Sequence, residues 1–202
     1  MAIDAKLVMQ LRNETSAGVN DCREALEKSE GDMAKAKAYL KEKGLAKGAK
    51  LADRAAKQGR VASYVHQADE GGKSGKGGAL VELNCETDFV AKAPDFVELA
   101  RMLAQIVYGF DPKYVTREQI PAPILEEETA KYADEVKGKP PDIAAKVLEA
   151  KLVKNLYSKL VLLDMPFGSD DSTTVGDVIK SKIGTMKENI VVGRFARFEI
   201  GV

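Results

Sequence analysis

The side chains able to act as nucleophiles or proton carriers are few: two cysteines, Cys22 and Cys85, and one histidine, His66. A thiol enzyme would need His66 beside one cysteine, to take its proton and make the sulfur nucleophilic. His66 closes an alternating segment, Arg60-Val61-Ala62-Ser63-Tyr64-Val65-His66, that reads as a strand, where it is ordinarily a polar-face residue. Cys85 ends a second such run, and a free cysteine there is ordinarily a small buried hydrophobe. Without carboxylates these three residues cannot close a four-ligand zinc site, so no resident metal or cofactor is expected. Gly72-Lys73-Ser74 matches the end of a phosphate-binding loop, but the first glycine of that motif would fall on Gln67. Such a loop also runs from strand to helix, whereas this stretch, residues 69–78, joins two strands. A hairpin connection is expected there, and no nucleotide bound by this chain. After Cys85 the chain runs through Glu86-Thr87-Asp88-Phe89-Val90-Ala91-Lys92-Ala93-Pro94, where the local pattern lets Thr87-Asp88 cap a helix and Phe89 enter the chain's own core.

The elements that must hold these residues follow from hydrophobic period. Ile3, Leu7, Val8 and Leu11 recur at helical spacing after Asp4, a suitable N-cap. Thr15-Ser16-Ala17-Gly18 breaks that helix, and Asn20 or Asp21 can cap a second one carrying Cys22, Ala25 and Leu26. Gly31-Asp32 stops and restarts the chain, and Ala36, Tyr39 and Leu40 line a third helix expected to end at Gly44. Residues 1–44 thus read as a three-helix module, and 45–58 as a basic linker. Between Lys41 and Arg60, seven basic residues stand against Glu42 and Asp53, which fits either a solvated face or attraction to an acidic partner.

From residue 59 the period becomes two, and residues 59–202 read as an α+β core. Two strands, ending near His66 and Cys85, precede a helix that opens at Pro94 with Phe96, Leu99, Leu103 and Val107 on one stripe. Helices follow around Leu125–Val136, from Asp142 to Leu160, and from Val175 to Ile183. Ile190–Ile200 alternates as a closing third strand. A three-stranded antiparallel sheet covered by helices is expected.

Composition narrows the class. The 202 residues carry 31 basic and 31 acidic side chains, so bulk attraction to nucleic acid is not expected. No apolar run reaches the roughly 18 residues needed to span a bilayer, and Met1–Lys6 lacks an apolar signal core. With no disulfide framework, a cytoplasmic location is expected.

Several segments resemble one family. Leu11-Arg12-Asn13-Glu14-Thr15-Ser16-Ala17-Gly18-Val19-Asn20-Asp21-Cys22-Arg23-Glu24-Ala25-Leu26 resembles the N-terminal signature of the bacterial elongation factor Ts family. Asn84-Cys85-Glu86-Thr87-Asp88-Phe89-Val90-Ala91-Lys92 is similar to its second signature. Residues 138–144, Pro166-Phe167 and Arg194–Glu199 resemble its C-terminal part, in family order. The resemblance implies a guanine-nucleotide exchange factor, not an enzyme, that binds GDP-loaded elongation factor Tu and expels GDP. It implies that the N-terminal module is ubiquitin-associated-like and docks on the GTPase through Arg12, Val19 and Asn20. Val19 and Asn20 differ from the methionines common there. It further implies that Thr87, Asp88, Phe89 and Val90 push between helices near the GTPase's magnesium site. With room for one sheet only, the chain resembles the short form, whose cores pair into a homodimer. In some members a disulfide near the C-terminus ties that dimer; both cysteines lie earlier here, so a noncovalent pair is implied. The rival class is a ubiquitin-associated-like adaptor, which would use only the first 44 residues.

Overall fold

The N-terminal helices form where their apolar spacing puts them. In the computed structural model, which describes residues 3–15, 17–67, 69, 74–168 and 170–201, α1 spans Ala5–Thr15, α2 Val19–Lys28 and α3 Met33–Leu51. The hairpin strands β1 (Gln58–His66) and β2 (Gly77–Cys85) follow, then α4 (Asp88–Lys92) and α5 (Pro94–Phe110). Next come α6 (Ala122–Ala130), α7 (Ala133–Val136) and α8 (Pro141–Leu152), which continues through a π-helical turn into α9 (Ser158–Leu160). A small hairpin, β3 (Pro166–Phe167) and β4 (Asp170–Thr174), leads to α10 (Val175–Met186) and β5 (Ile190–Glu199).

The expected α+β arrangement is present. β1, β2 and β5 form one antiparallel sheet with β2 in the middle. Ala79, Val81, Leu83 and Cys85 on β2, with Ile190 and Val192 on β5, face the buried stripe of α5 (Phe96, Leu99, Leu103, Val107), and α10 adds Val175, Ile179 and Ile183. The three-helix module has its own small core around Leu11, Cys22, Leu26 and Leu40. A third cluster, Ile120, Leu152, Leu156, Tyr157 and Val161, holds the helical segment between α5 and β3.

Caps are corrected in two places. Asp4 caps α1 as expected, accepting from the Lys6 amide, and at the expected restart Asp32 caps α3, accepting from the amides of Ala34 and Lys35. For α2 the cap is Gly18, so the helix begins at Val19 and Asp21 lies in its first turn, where its charge suits the helix N-terminus. For α8, Pro141 occupies the first helical position and Pro140 precedes it, so Asp142 is not the cap. A proline there has no N–H needing a partner. The single helix expected around Leu125–Val136 is instead two pieces, α6 and α7, separated at Lys131-Tyr132.

The largest correction concerns α3. It does not stop at Gly44 but continues to Leu51, through half of the stretch expected to be a linker. The cause is packing against α10. A Cβ on Gly48 would lie 2.3 Å from the Lys180 carbonyl oxygen, and one on Gly184 would lie 2.6 Å from that of Gly44. Only glycines permit this backbone-to-backbone approach, and the contact outweighs the roughly 1 kcal/mol each glycine costs a helix. Residues 68 and 70–73, the centre of the expected hairpin connection, lie outside the described residues. At its base the Ser74 hydroxyl donates to the Asp69 carboxylate at 2.6 Å.

Candidate functional site

The Thr87–Val90 motif sits directly after β2, where the chain leaves the sheet to start α4. Thr87 is in an extended conformation, and its hydroxyl caps the helix by accepting from the Val90 amide at 3.4 Å. Val90 and Ala91 turn toward the main core. That leaves the first turn of a five-residue helix pointing outward. Asp88 is exposed and accepts from Lys92 at 2.7 Å, one turn on, which holds its carboxyl below the usual range. Phe89 is 82% exposed. Burial of Phe89 in its own core is therefore excluded, and a full aromatic ring stands on the surface beside a carboxylate.

Thr87 itself is held on every polar group. Its amide and its hydroxyl both donate to the Glu188 carboxylate, at 3.0 and 2.6 Å. Its carbonyl accepts from the Cys85 thiol at 3.1 Å and from the Ala91 amide at 3.2 Å. Glu188 lies in the turn between α10 and β5 and was not singled out by sequence reasoning. A lone acid 101 positions from its partner leaves no local signal.

Arg12, Val19 and Asn20 are all exposed at the turn joining α1 to α2. They do not share one cleft. Arg12 borders a groove with Asp21, Lys43 and Lys187, whereas Val19 borders another with Met9 and Arg23. Lys187 immediately precedes Glu188, so the groove at Arg12 and the support of Thr87 meet in one turn.

The thiol-enzyme arrangement is absent. The register pairs His66 with Gly77 and Cys85 with Gln58, at opposite ends of the hairpin. Eight residues of strand put them about 26 Å apart. His66 instead meets the Tyr64 hydroxyl at 3.0 Å and stacks on Tyr108. Both cysteines are buried, and burial pushes their thiols up, away from the thiolate form. Among the described residues no group of three or more His, Cys, Asp or Glu side chains is arranged to hold a metal, and no helix is long and apolar enough to cross a membrane.

Among the described residues, the outer side of the main sheet keeps large apolar side chains exposed. Val61, Leu80, Val191 and Phe198 are exposed there, the last to 71%. Gly78 lies between Val65 and Phe198 and leaves a shallow apolar groove on that face.

Comparison with known proteins gives a consistent result over the whole length. The family model described as Elongation factor TS matches residues 5–202. An elongation factor Ts from Coprothermobacter proteolyticus is 47% identical over 203 residues, covering all of both chains. One from Fervidobacterium nodosum is 43% identical, again over all of both. One from Thermotoga neapolitana is 42% identical over all of this chain and 98% of its own.

Proposed function

Because the chain belongs to the elongation factor Ts family, a family of translation elongation factors, we propose that it is the guanine-nucleotide exchange factor of elongation factor Tu. It binds the GDP-loaded GTPase, promotes GDP release and lets GTP enter. It performs no covalent chemistry and works in the cytoplasm.

The observation that carries this reading is the exposed ring of Phe89 beside Asp88. In P-loop GTPases the magnesium ion bridges phosphate oxygens and is held by a loop Ser/Thr and an aspartate. Loosening GDP needs a group that shifts these supports, not a new catalytic acid. Phe89 supplies an apolar anchor that gains roughly 2–3 kcal/mol if fully buried in the partner. Asp88 brings a carboxylate to the polar groups around the metal, while Thr87 and Val90 fix the turn that presents both. Linkage sets the energetics: the factor by which this protein weakens GDP is the factor by which GDP weakens this protein. Arg12, Val19 and Asn20 form a second contact that anchors the N-terminal module on the GTPase. The open apolar face of the sheet supports pairing of two cores into a noncovalent homodimer.

The test is release of a fluorescent GDP analogue from purified elongation factor Tu with and without this protein. Accelerated release is expected. No acceleration from folded protein with a cognate partner would overturn the reading and leave an adaptor.

A further inference from the structure

We propose that Glu188 is the positioning residue of the Phe89 motif, an inference that rests on the reading of Phe89 as the group inserted into the GTPase. Three observations carry it. First, α4 has only five residues, too few to be stable alone, and its internal cap, Thr87 Oγ1 to the Val90 amide, is long at 3.4 Å. The strongest side-chain anchors at the start of the motif are the two charge-assisted bonds from Thr87 to Glu188, at 3.0 and 2.6 Å. A carboxylate accepts both with its charge; a side-chain amide accepts only one on its oxygen, must donate its NH2 to the Thr87 hydroxyl instead, and loses the charge assistance at both.

Second, the backbone on either side of Glu188 is held. Lys187 takes the left-handed conformation (φ 62°) that ends α10, its amide bonded to the Ile183 carbonyl at 2.8 Å. Asn189, 2% exposed, donates its amide to the Glu86 carboxylate at 2.7 Å. Its side chain donates to the carbonyls of Ala52 and Arg54, at 2.8 and 2.6 Å. One turn thus grips both the motif and the end of the helix that carries the N-terminal module. Third, Phe89 is 82% exposed, so its own packing cannot orient it. Loss of Glu188 leaves the first turn of α4 to fray, and the ordering then falls on the step in which Phe89 inserts and GDP leaves, after the other contacts have formed.

The chain has no tryptophan, so Phe89→Trp introduces a single reporter, read by time-resolved anisotropy in the free protein. Adding Glu188→Ala is expected to raise the amplitude of fast local motion of that ring, and Glu188→Gln to raise it less. In exchange assays with native Phe89, Glu188→Ala is expected to lower the maximal GDP-release rate about tenfold, the scale of a charge-assisted hydrogen bond. Glu188→Gln should recover part of that loss. The half-saturating concentration, set by the other contacts, should stay within about twofold. Circular dichroism and melting identify any variant that does not fold, and the Gln variant preserves shape if Ala does not. Unchanged ring motion and an unchanged maximal rate in folded Glu188→Ala overturn the positioning role. If Phe89→Ala slows release but Glu188→Ala does not, the positioning role alone falls. If Phe89→Ala itself leaves release unchanged, the insertion reading falls and this proposal falls with it.

Discussion

Phe89 stands clear of the core, yet its neighbours Val90 and Ala91 pack inward. Removing an exposed ring takes little from the folded state. Phe89→Ala is therefore expected to change unfolding free energy by no more than about 0.5 kcal/mol. GDP release should nonetheless slow by about tenfold or more, the loss of a buried apolar anchor in the complex. Chemical denaturation beside stopped-flow GDP release separates the two, and a large stability loss would return Phe89 to a structural role. Glu24, in the three-helix module, gives a residue-scale test of pH. Lys43 first, then Tyr39 and Lys28, hold its carboxyl down from 4.5 to about 2. Its folded value lies below the unfolded one, so its contribution is present above about pH 4.5 and disappears as pH falls toward 2. Glu24→Gln is accordingly expected to lower the melting temperature at pH 7, with the gap to wild type closing by pH 2. A gap that persists undiminished would count against the ion pairs.

At the scale of elements, the contact of α3 with α10 decides how the module is held, and its glycines are not equivalent. A methyl on Gly48 would sit 2.3 Å from a backbone carbonyl, far inside contact distance, whereas one on Gly44 would meet Ser181 Oγ at an ordinary 3.5 Å. Alanine improves helix propensity at either position by about 1 kcal/mol. At Gly48 the clash outweighs that gain, and Gly48→Ala is expected to destabilise by about 1–3 kcal/mol. At Gly44 nothing opposes it, and Gly44→Ala should be neutral or stabilising by up to about 1 kcal/mol. Denaturant midpoints of the two variants check the contrast; equal shifts would mean that the helices do not pack this closely.

At the scale of the molecule, one face of the sheet is covered by α5 while the other exposes Val61, Leu80, Val191 and Phe198. A β-bulge produces this division on β5. Glu82 pairs with Arg194 and Leu83 with Val192, which leaves Gly193 unpaired and reverses the alternation beyond it. Phe195 consequently turns to the core and Phe198 to the open face. If that face joins two copies, Phe198→Asp should shift sedimentation toward the monomer while leaving the circular dichroism spectrum unchanged. A wild type that sediments as a monomer at all concentrations would remove the homodimer.

What the sequence determined was local or periodic. Alternation marked the three strands, the apolar stripe marked α5, and Asp4 and Asp32 marked helix starts, because backbone preference and amphipathic period are properties of neighbouring residues. The motif at Thr87–Val90 was legible as well, through its family resemblance. Its exposure was not, since the same four residues fit a buried turn equally well. Only the tertiary structure decided that Phe89 faces outward, that α3 runs past Gly44, that His66 and Cys85 lie at opposite ends of a hairpin, and that Phe198 is left on the open face. Each depends on a partner far along the chain or on one unpaired residue. Gly48 meets Lys180, Thr87 meets Glu188, and Gly193 shifts the register of a whole strand. Short-range pattern cannot encode these, because such contacts exist only once folding has brought distant segments together.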